Sequence, residues 1–119
     1  MARPPLPPPL RPRSRVEPEQ FRLPVERIRH GYYSDKYFVR TRDVLAATGR
    51  NPHVTVQVFQ KQAAWLGGVD EAIAVLKLCL TEGCHWSDLE VLALRDGDEI
   101  APHETAMLIS GPYLAFAHL

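Results

Sequence analysis

His30-Gly31-Tyr32-Tyr33-Ser34-Asp35-Lys36-Tyr37-Phe38-Val39-Arg40-Thr41-Arg42 is the stretch from which the fold of this chain reads outward. Ser34 or Asp35 is placed to cap the free amides of a helix opening at Lys36. Tyr37, Phe38, Thr41, Val44, Leu45 and Thr48 recur at helical spacing, and Gly49 follows as a C-terminal stop. Lys36, Arg40 and Asp43 occupy the other face. Three tyrosines and two arginines around one helix start exceed what an amphipathic helix needs. Stacking surfaces, one carboxylate and fixed cations suit a flat small molecule that is charged or phosphorylated. A core helix with a solvated basic face is the plainer reading of the same spacing.

Beyond that helix, Arg50-Asn51-Pro52-His53 reads as a turn and Val54–Phe59 as a strand, its β-branched residues alternating with Thr55 and Gln57. Lys61 stands just past the strand's end, where ligands are met in α/β layers, and is a candidate phosphate contact or a solvated loop lysine. Leu66-Gly67-Gly68 reads as a hinge before a helix capped by Asp70, with Ala72, Ile73, Val75, Leu76, Cys79 and Leu80 on its apolar face and Gly83 as its stop. Neither GxGxxG nor GxxxxGK is present. Leu89–Leu94 and Thr105–Ser110 read as strands, with a hairpin-type turn at Arg95-Asp96-Gly97-Asp98. Leu114–Leu119 looks like the beginning of a helix.

The 119 residues leave room for one domain with one core. Lys plus Arg and Asp plus Glu stand at 14 each, so no global field argues for nucleic acid or a membrane surface. Residues 1–30 nevertheless hold seven arginines against three glutamates. Residues 1–20 are Pro- and Arg-rich and are expected to form a disordered extension; a ligand for a proline-recognising module and a basic arm are the other readings. Ordered chain is expected over 21–119. No apolar run approaches the roughly 20 residues that span a bilayer. Two cysteines, Cys79 and Cys84, make neither a disulfide framework nor, with His85, a zinc site; they point to a reduced, cytoplasmic setting.

Four ordered blocks together resemble the amino-terminal region of the nicotinate phosphoribosyltransferases: Gly31–Phe38, Asn51–Lys61, Gly68–Ile73, and Leu89–Leu119 through Arg95–Ile100 and Ile109–Tyr113. The resemblance implies an α+β fold, the N-terminal domain of a type II phosphoribosyltransferase, with a mixed sheet, two or three helices and no catalytic barrel. It implies joining of nicotinate to phosphoribosyl pyrophosphate, with ATP and Mg²⁺ bound by the barrel and none bound by this chain alone, in a homodimer when complete. It casts Tyr37 as the residue stacking on the pyridine ring, Asp35 as the orienting carboxylate and Lys61 as a further substrate contact; Arg40, on the basic face of the same helix, is a further candidate contact. No catalytic residue falls in this segment, and none of the five histidines matches the family's phosphorylated one. On this reading the domain is incomplete at its C-terminal end and inactive alone, and Thr105–Ile109 with the terminal helix are its exposed apolar parts.

The alternative is a non-catalytic module that binds a small molecule or a protein. A biotin- or lipoate-carrying hairpin barrel is excluded, because no lysine occurs after Lys77. Nucleic-acid binding through the basic arm would need aromatic or helical readers on a basic face, whereas residues 31–119 are net negative.

Overall fold

The structure, a computed structural model, describes residues 14–119. Alternation along the chain makes β1 (His53–Phe59) and β5 (Thr105–Pro112) partners, antiparallel from His53↔Pro112 to Phe59↔Thr105, with an irregularity after Val58. β3 (Glu90–Ala93) pairs on the other side of β5, giving the order β1-β5-β3. One face of this sheet presents Val54, Val56, Met107 and Ile109 to the core. The other carries polar cross-strand pairs, with the Thr55 and Ser110 hydroxyls 2.8 Å apart and Gln57 Nε2 donating to Thr105 Oγ1 at 2.7 Å.

Two helices precede β1: α1 (Val25–Arg29) and α2 (Lys36–Ala47), the second with the bounds expected from its spacing. Across the core face lies α3 (Val69–Leu78), whose Val69, Ile73 and Leu76 meet Leu80, Met107 and Ile109 in one buried cluster. These six apolar side chains, each contributing about 1.5–3 kcal/mol on full burial, dominate the stabilisation of so small a unit. The short α4 (Tyr113–Phe116) closes the cluster with Ala115 and Phe116. Thr105–Ile109 and α4 are therefore not the exposed apolar parts expected. Ala106, Met107, Ile109, Ala115 and Phe116 are all buried, because β5 is the central strand beneath α3.

Two local expectations change for one reason: distant segments supply groups that neighbouring sequence was expected to supply. The helix cap at Asp70 is instead Gly68, in the left-handed conformation at φ 92° that glycine adopts without strain. The amides of Val69 and Asp70 donate to the Asp96 carboxylate at 2.8 and 3.1 Å. The turn at Arg95–Asp98 does not close a simple hairpin. It docks on Leu66, whose amide donates to Asp98 O at 2.8 Å, and beside it β2 (Ala64–Trp65) pairs with β4 (Glu99–Ile100).

Packed chain also begins before the expected boundary at residue 20. Arg15 donates to Asp70 Oδ1 at 3.0 Å and to the carbonyls of Ala93 and Leu94 at 3.3 and 3.1 Å, and a 3₁₀ turn at Pro18–Phe21 lies against α3. Residues 1–13, with the disorder expected of them, lie outside the described residues. Among the described residues no helix is long and apolar enough to cross a membrane.

Candidate functional site

α1 ends at His30, and the chain must reverse within a few residues to begin α2. Gly31 makes this possible at φ 81°, and a Cβ there would stand 2.8 Å from Val39 Cγ2, so both conformation and space demand glycine. Tyr32 N then donates to Arg27 O and Ser34 N to Gly31 O, which throws the aromatic residues outward. Tyr32 and Tyr33 meet edge to face at 4.9 Å, and the Arg27 guanidinium lies 5.4 Å from the Tyr32 ring centre. Tyr37 and Phe38 pack at 4.3 Å between centroids. Tyr37 remains 61% exposed, so its ring is available as a stacking surface.

Asp35 sits at the N-cap position of α2, but its side chain makes no capping bond; Phe38 N donates to its backbone carbonyl. Its carboxylate instead lies near enough to Tyr37 to act on the phenol. Partial loss of water, together with the Asp35 charge and a hydrogen bond that favours the neutral phenol, raises the Tyr37 pKa above the usual tyrosine range. Tyr37 therefore stays a neutral ring with a hydroxyl to donate. The helix beneath is anchored by the Tyr113 hydroxyl, which donates to Phe38 O at 3.2 Å.

Arg40 lies one turn beyond Tyr37 on exposed surface, and among the described residues it makes no ion pair or hydrogen bond. Lys61 is exposed in the bend after β1. Its neighbour Gln60 accepts from His103 N at 2.7 Å, and Phe59 packs on the His103 ring at 5.8 Å. Lys61 thus belongs to the corner at His103, and no hydrogen bond or ion pair ties it to Asp35, Tyr37 or Arg40. The expected set divides into a close pair, Asp35 and Tyr37, a cation one turn away, and a lysine on another loop.

His118 supports the tyrosine turn from behind, a role the sequence reading did not assign. It is 1% exposed, with Nε2 2.9 Å from Arg29 O. A carbonyl only accepts, so Nε2 carries the proton. Burial, with the charges of Arg42 and His30, lowers the pKa of the imidazole. Arg42 Nη1 donates to His30 O at 3.2 Å, and Arg29 Nε and Nη2 donate to the carbonyls of Leu80 and Leu78 at 2.8 and 3.1 Å, fixing α1 to the end of α3. The only signal for His118 in the sequence is that it interrupts the apolar run from Leu114 to Leu119.

Among the described residues no three His, Cys, Asp or Glu side chains converge as a metal site. A second concavity, of about 370 Å³, lies between the core face of the sheet and α3, lined by Phe38, Val56, Val58, Val75, Leu76 and Phe116 among other apolar residues. It offers shape without the charged groups that would orient a polar ligand.

The model of the quinolinate phosphoribosyl transferase N-terminal domain family matches residues 35–119, a span that holds Asp35, Tyr37, Arg40 and Lys61. The chain is similar in fold to the crystal structure of nicotinate-nucleotide pyrophosphorylase from Pyrococcus furiosus, with a TM-score of 0.63 and 24% identity over 78% of this chain. It spans 23% of that protein's length. No curated protein matches. The resemblance to nicotinate phosphoribosyltransferases thus holds at the level of the type II enzymes as a group, while the matched domain is named for quinolinate. With an α+β layer of this topology and a family match over most of its length, the chain belongs to the quinolinate phosphoribosyltransferase N-terminal domain family of type II phosphoribosyltransferases.

Proposed function

We propose that this chain supplies one wall of a pyridine carboxylate site, in a type II phosphoribosyltransferase that transfers phosphoribose from phosphoribosyl pyrophosphate. In the reaction the ring nitrogen attacks the anomeric carbon, a C–N bond forms, and the C–O bond to pyrophosphate breaks. Tyr37 stacks on the ring, with about 0.5–1.5 kcal/mol beyond area burial available from such a contact. Arg40 offers its guanidinium to the substrate carboxylate, and Lys61, from its separate corner, faces phosphate oxygens only after another surface has brought them to it. The observation that carries the reading is the exposed Tyr37 ring held beside Asp35.

The same pair favours nicotinate over quinolinate. Asp35 sets a negative charge beside the ring, and a second ring carboxylate adds a like charge that a nearby anion opposes. The family match favours quinolinate as the second reading. ATP and Mg²⁺, with the groups that stabilise the leaving pyrophosphate, belong in this proposal to a barrel outside the chain, in a homodimer that places this wall opposite a barrel mouth. The chain alone is then expected to form no nicotinate mononucleotide from nicotinate, phosphoribosyl pyrophosphate, ATP and Mg²⁺.

Titration of the labelled chain with nicotinate and, separately, quinolinate tests the reading. Nicotinate should move the resonances of Asp35, Tyr37 and Arg40, and quinolinate should move them less. Perturbation confined to the apolar concavity under α3, or none near Tyr37, would defeat it in favour of a non-catalytic module. The reverse order of the two acids would keep the wall and assign it to quinolinate.

A further inference from the structure

Three consecutive residues at the end of α1 decide where the tyrosine turn points, and each is held from outside α1. Arg29 O accepts from His118 Nε2 at 2.9 Å, and His30 O accepts from Arg42 Nη1 at 3.2 Å. The position a Cβ would take on Gly31 lies 3.6 Å from the His118 carbonyl oxygen, so His118 backs the reversal with its main chain as well as its ring. Beyond Gly31 the turn is held by short-range bonds, from Tyr32 N to Arg27 O and from Ser34 N to Gly31 O. A rotation at residues 29–31 therefore carries Tyr32, Tyr33 and Asp35 with it. His118 is the buried polar side chain at this hinge, and its Nδ1 has no hydrogen-bond partner among the described residues. Arg29 and His30 of α1, Arg42 of α2, and Thr81 and Glu82 after α3 border the same concavity as His118, of about 270 Å³. Glu26 is paired with Arg29 and His30, and Asp43 with Arg42, and none of these carboxylates bonds Nδ1.

We propose that His118 is a positioning residue for the pyridine wall: its uncharged imidazole fixes Arg29 O, and its protonation releases the tyrosine turn and with it the seat of Asp35 and Tyr37. The proposal rests on the ligand reading above for what the wall binds, and on the geometry of the ligand-free chain for how the wall is held. Nε2 already carries a proton and donates it to Arg29 O, so a second proton goes to Nδ1. There it makes a buried cation beside the guanidiniums of Arg29 and Arg42, with no acceptor bonded to it. The imidazole relieves this by leaving its seat, and Arg29 O loses its donor. Acid then loosens the turn before it touches the cluster under α3, which contains no titrating side chain.

NMR on the ligand-free chain gives the first test. As the pH falls, the ring signals of Tyr32 and Tyr33, and the edge-to-face contact between them, should change in step with the His118 imidazole. A His30→Gln chain should keep that step, because the exposed histidine is not its source. His118→Leu removes the donor and keeps an apolar filling. Its tyrosine contact should weaken at every pH, and the nicotinate concentration that half-shifts Asp35 and Tyr37 should rise about five- to tenfold, the effect of one lost hydrogen bond. His118→Gln keeps an amide N–H for Arg29 O and should recover the contact without the pH step, a rescue that a merely space-filling residue would not show. If the wild-type chain ignores nicotinate, the ligand reading fails, and the ligand-free contacts still decide whether His118 sets the turn. Tyrosine signals that do not follow the His118 titration would overturn the proposal, as would a folded His118→Leu chain whose tyrosine contact matches wild type. Should that chain not fold, the wild-type titration decides.

Discussion

α2 and α3 are helices of similar length with opposite relations to the rest of the molecule. α3 buries Val69, Ile73, Ala74 and Leu76, and its first amides are held by a carboxylate from another loop. α2 buries no residue fully and leaves Tyr37 and Val44 each 61% exposed. An isolated helix of twelve residues is marginal in water, so α2 persists through its attachments at Gly31, Arg42 and Tyr113 rather than through a core. The difference separates two tasks. α3 builds the domain, and α2 holds a set of side chains in place without making stability depend on them.

The largest effect that should distinguish the two is loss of volume under α3. Ile73→Ala removes a side chain that is 5% exposed at the centre of the cluster, and should cost about 2–5 kcal/mol, read in chemical denaturation. Val44→Ala on α2 should stay within about 0.5 kcal/mol. Equal losses would mean that α2 belongs to the core after all. A step smaller, Asp96→Ala leaves the Val69 and Asp70 amides without their acceptor and should destabilise by about 1–2 kcal/mol.

Asp96 also marks where reading the sequence stops working. The bounds of α2, the strand at β1, the apolar face of α3 and the helical start after Pro112 follow from periodicity and stop residues a few positions apart. The Asp96 clamp spans 26 positions and the Arg15 anchor 55, and no local pattern announces either. Two-residue strands such as β2 and β4 are too short to show alternation at all. The candidate site divides in the same way. Asp35 and Tyr37 were legible as a pair because one helix start carries both. Grouping Lys61 with them required knowing which corner the end of β1 reaches, which is a property of the sheet.

His118 offers a prediction that depends on pH. Its folded-state pKa lies below the unfolded value of 6.5, so over the interval between the two the unfolded chain binds the extra proton. Stability should therefore be complete above about pH 6.5 and fall as acid is added. Asp70, lowered from 3.8 despite its burial because Arg15 holds it ionised, should add a second loss at pH values below about 4. His118→Gln should flatten the upper of these two slopes and leave the lower one, while costing stability at neutral pH through the contact with Arg29 O. An unchanged profile between about pH 5 and 7 would show that the coupling between α4 and α1 does not depend on a neutral imidazole.

The smallest expected change in stability is at Tyr37 itself. Tyr37→Ala removes an exposed ring whose aromatic neighbour among the described residues is Phe38, and the melting curve should move by no more than about 0.5 kcal/mol would allow. Nicotinate-induced shifts at Asp35 and Arg40 should nevertheless disappear. Tyr37→Phe separates the two attributes of the side chain: it keeps the face and removes the hydroxyl beside Asp35. If stacking alone serves the ligand, the phenylalanine chain retains the shifts. If the hydroxyl held by Asp35 orients the ligand, Tyr37→Phe loses them almost as fully as Tyr37→Ala, and the carboxylate acts through the phenol rather than on the ring. A strongly destabilised Tyr37→Ala chain would break the contrast between the helices at its most exposed point, making the tyrosine structural and α2 a second, thinner edge of the core.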